Sequence, residues 1–203
     1  FSPIRWIVPD YIVEGLTLLA GKPKVGKSWM ALNLACAVAA GGSAFSAVSC
    51  EAGDVLALAL EDNQRRLQSR MQQMMGDARW PARLTFHTEW PRLDAGGLEA
   101  IEAWIEAAAK PRLVVIDVWA KVRGRADAKK TQYTDDFESV GQLQQLALKH
   151  RIGIVLIHHA SKRDDPEEPF DLVSGTTGLT GAADSVLILG HEKGAGRADA
   201  ILY

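Results

Sequence analysis

Short, almost wholly apolar runs alternate along the chain with longer segments whose apolar residues recur at helical spacing. The runs at 16–20, 55–60, 113–117 and 153–159 show no in-and-out alternation, which is the pattern of strands covered on both faces. A weaker strand is expected at 84–88. Between them, 29–40, 62–75 and 98–109 read as helices, the first stopped by Gly41 and Gly42 and the third closed by Pro111. Asp62 is a natural cap for the second. A later helix runs to His150 from an N-cap at Thr134 or Asp135, where a short side-chain oxygen can accept free first-turn N–H groups. Alternating strands and helices predict an α/β fold with a mostly parallel central sheet flanked by helices. Segments 185–190 and 197–203, around Gly194, Ala195 and Gly196, are expected to finish it as a C-terminal β-hairpin. The intervening polar stretches 121–133 and 162–178 read as loops. No internal repeat or low-complexity tract interrupts the pattern.

With 203 residues, 47% of them apolar, the chain suits a single domain over 1–203 with a full core. Its start at Phe1 and its end at Tyr203 lead us to expect a piece of a longer protein. A net charge of −2 excludes whole-surface attraction to nucleic acid or anionic membrane, so any such contact needs a local patch. Cys36 and Cys50 match no metal or redox spacing and are expected as buried free thiols of a cytoplasmic protein. No apolar run approaches the 18 to 20 or so residues of a membrane span.

Chemistry enters with Gly21, Lys22, Pro23, Lys24, Val25, Gly26, Lys27 and Ser28, which spell G-x-x-x-x-G-K-S between an expected strand and an expected helix beginning at Trp29. This is the phosphate-binding loop of P-loop NTPases in its required context. Its glycines let the backbone turn so that successive N–H groups, backed by a helix N-terminus, face a polyphosphate. Lys27 would reach the β- and γ-phosphates, and Ser28 would offer its hydroxyl to Mg²⁺. The absence of an N-K-x-D guanine-reading sequence favours ATP.

Other polar residues fall at strand ends, where ligands of open α/β sheets collect. Asp117, after four apolar residues, fits the second P-loop signature as a holder of Mg²⁺. Glu61 is placed to orient and deprotonate an attacking water. Adjacent His158 and His159 must point to opposite faces of their strand, so they chelate a metal poorly. Core histidines or a polar sensor of the γ-phosphate remain, the latter passing its signal to 162–178. The basic stretch Lys121, Arg123, Arg125, Lys129 and Lys130, with Tyr133 able to stack on a base, is a candidate contact for single-stranded DNA. Asp127, Asp135 and Asp136 dilute it toward an ordinary solvated loop.

Together these residues resemble the RecA-like ATPases, and within them the plasmid and phage branch of RepA-type hexameric replicative helicases. The resemblance rests on residues 6–9, the 21–28 loop, Glu61-Asp62, the 113–117 strand, the run Ile157-His158-His159-Ala160-Ser161-Lys162 and 175–184. It implies Lys27 and Ser28 on phosphate and Mg²⁺, Glu61 as catalytic base, Asp117 on Mg²⁺ and His159 as a sensor with His158 beside it. It further implies a sheet in which the His159 strand lies between those of the phosphate loop and Asp117, and assembly into a ring, commonly a hexamer, with a neighbour's arginine finger at each ATP. Where that branch carries an arginine before the glycine after the sensor strand, this chain has Ser174 before Gly175. Arg197, Lys193 or a residue past Tyr203 would have to substitute. The expected activity is a Mg²⁺-dependent ATPase, a helicase or replication motor. A slowly hydrolysing module that switches protein partners is the alternative. A small-molecule kinase fits less well, since no arginine-rich lid is evident.

Overall fold

The computed structural model describes residues 3–125, 131–159, 177–190 and 201–202. Strands β1 (Trp6–Val8) and β2 (Ile12–Val13) pair antiparallel ahead of β3 (Gly15–Gly21) and helix α1 (Lys27–Ala40). A second small hairpin, β4 (Ser43–Ala44) and β5 (Val48–Ser49), leads to β6 (Asp54–Ala59), α2 (Gln64–Met75) and β7 (Leu84–His87). Then follow α3 (Gly97–Ala107), β8 (Pro111–Asp117), α4 (Trp119–Val122), α5 (Gln132–His150), β9 (Gly153–His159), α6 (Thr177–Ala182), β10 (Ser185–Gly190) and β11 (Ile201–Leu202).

The main sheet has the order β11-β10-β3-β9-β8-β6-β7, with every pair parallel except β10 with β11. Strand β9 thus lies between the phosphate-loop strand and the Asp117 strand. The antiparallel pairing of Leu189 with Leu202 supplies the expected terminal hairpin, while its turn lies outside the described residues.

Period-two alternation divides the buried strand residues between two cores. Leu16, Leu18, Val114, Ile116, Ile154 and Leu156 pack toward α3 and α5, with Ile101, Ile105, Val140 and Leu143. Leu19, Leu113, Val115, Val155 and Ile157 pack toward α1, which is buried nearly all round. Continuing the parity of β9 assigns His158 to the α5 side and His159 to the α1 side. Asp117, in step with Leu113 and Val115, shares the α1 side.

Several local expectations are corrected. Thr131, not Thr134 or Asp135, caps α5, its hydroxyl accepting the Thr134 N–H at 3.2 Å. Asn63, not Asp62, caps α2 by accepting the Arg66 N–H. Asp62 is instead held by Arg66 at 3.1 Å and Arg70 at 2.5 Å. Pro111 opens β8 rather than closing α3, which ends at Ala107. Residues 121–133 are not wholly loop, since α4 takes in Lys121 and α5 starts at Gln132. Gly178 belongs to α6, and 160–176 lies outside the described residues. Cys36 and Cys50 are both free and buried. Among the described residues no helix is long and apolar enough to cross a membrane.

Candidate nucleotide site

An open pocket of about 470 Å³ at the carboxyl edge of the sheet is lined by Pro23, Lys24, Lys27, Ser28, Glu61 and His159, among others. The parallel register explains the convergence: Gly21 at the end of β3 pairs with His159, and Ala59 at the end of β6 pairs with Asp117. A backbone bond from Leu60 N–H to the Asp117 carbonyl, 2.7 Å long, extends that alignment beyond the strands and delivers Glu61 to the pocket rim.

At the head of the loop, a Cβ on Gly21 would collide with the Leu189 carbonyl oxygen of β10, so only glycine fits. Gly26 is the N-cap of α1 at φ 109°, a conformation that other residues rarely adopt. The helix carries no side-chain cap and no acidic residue in its first turn. Its leading N–H groups and positive dipole end therefore suit an anion. Lys24 and Pro23 line the pocket, Val25 is buried in the α1-side core, and Lys22 lends its carbonyl to Lys27.

Lys27 is only 4% exposed, and its ammonium donates to the carbonyls of Gly21 at 2.6 Å and Lys22 at 2.9 Å. Burial lowers its pKa to about 8, against the opposing pull of Asp117 and Glu61. The Asp117 carboxyl is pushed up by burial, opposed chiefly by the Ser28 hydroxyl beside it. Its Oδ1 is buried with no hydrogen-bond partner among the described residues. A buried carboxylate oxygen left unpaired next to a serine hydroxyl is the donor set a hard cation takes. The residues present thus fit Mg²⁺ at Ser28 and Asp117 and a polyphosphate at the loop.

Opposite, Glu61 is exposed, and its Oε1 lies 3.2 Å from His159 Nε2. The other ring nitrogen, Nδ1, is buried and unpaired among the described residues. His158, on the other side of β9, is held neutral: burial, then the charges of His159, Lys27 and Arg123, lower its pKa to about 4.

Sequence reasoning overlooked Arg70. Its guanidinium lines the same pocket, lies 5.7 Å from the centre of the Trp29 ring and is tied to Asp62. The spacing of Asp62, Arg66 and Arg70, four residues apart each time, was the available signal.

The AAA domain family matches the chain over residues 1–165. The chain belongs to that family. Solved structures similar to this AAA domain share its fold. They include a separately determined ATPase domain (TM-score 0.61, 14% identity, 90% of this chain and 72% of that one). A DnaB-like replicative helicase, solved for its interactions with primase, gives TM-score 0.63 at 14% identity, covering 90% of this chain and 48% of that one. A KaiC-like protein from Pyrococcus horikoshii OT3 gives TM-score 0.61 at 14% identity over 99% and 87%. The fold is therefore that of RecA-like P-loop ATPases. Comparison with curated proteins gives no match.

The basic stretch of this AAA domain is less free than its composition suggests. Arg123 is paired with the buried Asp136 at 2.7 Å, while Lys121 and Arg125 are exposed. Lys129 and Lys130 lie outside the described residues, as do Ser174, Lys193 and Arg197. Tyr133 is exposed and stacks on Phe137 with ring centres 6.1 Å apart.

Proposed function

We propose that this AAA domain is a Mg²⁺-dependent ATPase, the motor of a ring-forming, plasmid- or phage-type replication helicase acting on single-stranded DNA. The observation that carries the reading is a pocket lined by the phosphate loop and the Glu61–His159 pair, with Asp117, one of whose carboxylate oxygens is buried and unpaired among the described residues, beside its Ser28 wall. The 21–28 loop and the first turn of α1 bind the triphosphate through backbone N–H groups, and Lys27 exchanges its loop carbonyls for phosphate oxygens. Ser28 and Asp117 hold Mg²⁺, which when bound neutralises phosphate charge. Glu61, open to solvent, orients and deprotonates water. His159 senses the terminal phosphate and is positioned to alter its bond to Glu61 when that phosphate departs.

The similarity to a replicative helicase supports a DNA-directed motor, with Lys121 and Arg125 as its candidate contacts among the described residues. Steady-state ATP hydrolysis with and without single-stranded DNA, in wild type and Glu61→Gln, tests it. Turnover that rises with DNA and vanishes in the variant is expected. Turnover indifferent to DNA at low salt would remove the motor reading.

The engagement of Arg123 with Asp136 favours a second reading, a nucleotide-dependent switch with slow hydrolysis that changes protein partners. A nucleotide-independent monomer that hydrolyses slowly and captures a protein partner would select it.

A further inference from the structure

A second opening, of about 420 Å³, borders the phosphate pocket, and Gly26 lines both. Its walls differ in chemistry from those of its neighbour. Tyr11 and Phe45 contribute two rings with centres 4.9 Å apart and planes inclined at 57°. Met30, Leu189 and Leu202 supply aliphatic surface. Among the described lining residues none is charged, and the Tyr11 hydroxyl is the one polar side-chain group.

Phe45 occupies a backbone conformation that a bulky side chain rarely adopts. It is 38% exposed and sits at φ 51°, followed by Ser46 at φ 58°, in the turn between β4 and β5. Two successive left-handed residues are the province of glycine and asparagine, and a bulky aromatic there is disfavoured. The turn is nevertheless tied down: Ala47 N–H donates to the Ala44 carbonyl at 3.0 Å, and Phe45 N–H donates to Asn33 Oδ1 at 3.1 Å. Asn33 lies on α1, the helix whose first turn faces the phosphate pocket. The Phe45 backbone is thereby tied to the helix that starts at the phosphate loop, in a conformation whose cost suggests use.

We propose that Tyr11 and Phe45 form the platform for the base of the nucleoside triphosphate, and that it is held by stacking with little discrimination among bases. This rests on the nucleotide-binding reading above and adds its specificity. A site that reads a base by hydrogen bonds rejects the wrong one by about 10⁴-fold or more. Stacking tolerates every base, because each has a π-face.

The test is calorimetric titration with Mg·ATP, Mg·GTP and Mg·tripolyphosphate of wild type, Phe45→Ala, Tyr11→Ala, Phe45→Trp and Lys27→Ala, each checked for folding by its Tm. Wild type is expected to bind ATP and GTP within about tenfold of each other. Phe45→Ala and Tyr11→Ala should weaken both nucleotides by roughly tenfold and leave tripolyphosphate unchanged, while Phe45→Trp keeps nucleotide affinity. Unchanged ATP affinity in both alanine variants overturns the platform, as does an equal loss of ATP and tripolyphosphate. A preference for ATP over GTP of about 10⁴-fold overturns the stacking mode. If wild type binds neither nucleotide nor tripolyphosphate, or Lys27→Ala leaves tripolyphosphate binding intact, the nucleotide reading fails and takes the platform with it.

Discussion

His159 Nε2 lies 3.2 Å from Glu61 Oε1, although β8 separates the strands that deliver them. The two side chains meet above the end of an intervening strand whose own terminal residue is Asp117. A group that contacts His159 therefore acts on Glu61 through a single hydrogen bond.

If the pair works as a unit, its members should not contribute independently. Glu61→Gln is expected to lower kcat by about 10²- to 10⁴-fold with ATP affinity retained. His159→Ala should cost a smaller factor, and the double variant no more than Glu61→Gln alone. Single-turnover hydrolysis of all three checks this, and additive losses would show that the contact has no catalytic consequence.

The unpaired Asp117 Oδ1 leads to an expectation about metal. Asp117→Asn should abolish the gain in nucleotide affinity that Mg²⁺ brings, and leave affinity measured with excess chelator nearly unchanged. Paired titrations with Mg²⁺ and with EDTA separate the two.

His158 predicts a particular dependence of stability on pH. Unfolded, its imidazole takes up a proton near 6.5, whereas in the fold burial holds its pKa at about 4. Its contribution is complete above pH 6.5 and is lost as the pH falls from there toward 4, because the unfolded chain binds the extra proton. His158→Asn should flatten this part of the Tm profile, read by thermal melts between pH 4 and 8.

Among the basic residues after Asp117, Arg123 and Lys121 should behave differently. Removing Arg123 leaves a buried Asp136 carboxylate without its guanidinium, at a cost of about 2 kcal/mol in unfolding free energy. Lys121 is exposed on α4, so Lys121→Ala should leave stability within about 0.5 kcal/mol of wild type. Any loss of single-stranded DNA affinity should be steeper at low salt. Urea unfolding and fluorescence anisotropy, run side by side, distinguish these effects.

The main sheet was legible because its strands are buried on both faces and therefore apolar throughout, and because β3 and α1 bracket an unmistakable loop. Lys27 and Ser28 were legible from the loop's spacing, and Glu61, Asp117 and His159 from their places at or just past strand ends. The caps were less legible. Thr131 sits immediately before α5, three residues ahead of the Thr134 N–H that its hydroxyl accepts, but a second threonine and two aspartates nearby compete for the same role on local chemistry alone. Asn63 prevailed over Asp62 because two arginines one and two turns along α2 claim the Asp62 carboxylate. The β1–β2 and β4–β5 hairpins escaped notice since strands of two or three residues carry too little periodicity to detect. The placement of Phe45 beside Tyr11 depends on those hairpins, so the second pocket appears only in three dimensions.

The two carbonyls that hold the Lys27 ammonium have a further consequence. The oxygens of Gly21 and Lys22 hold the cation that, on the proposed reading, phosphate oxygens would take over. Gly21 abuts the Leu189 carbonyl so closely that no side chain fits between them. Gly21 thus pairs with Leu189 of the terminal hairpin while lending its carbonyl to Lys27, so one residue belongs to both the phosphate loop and the sheet edge.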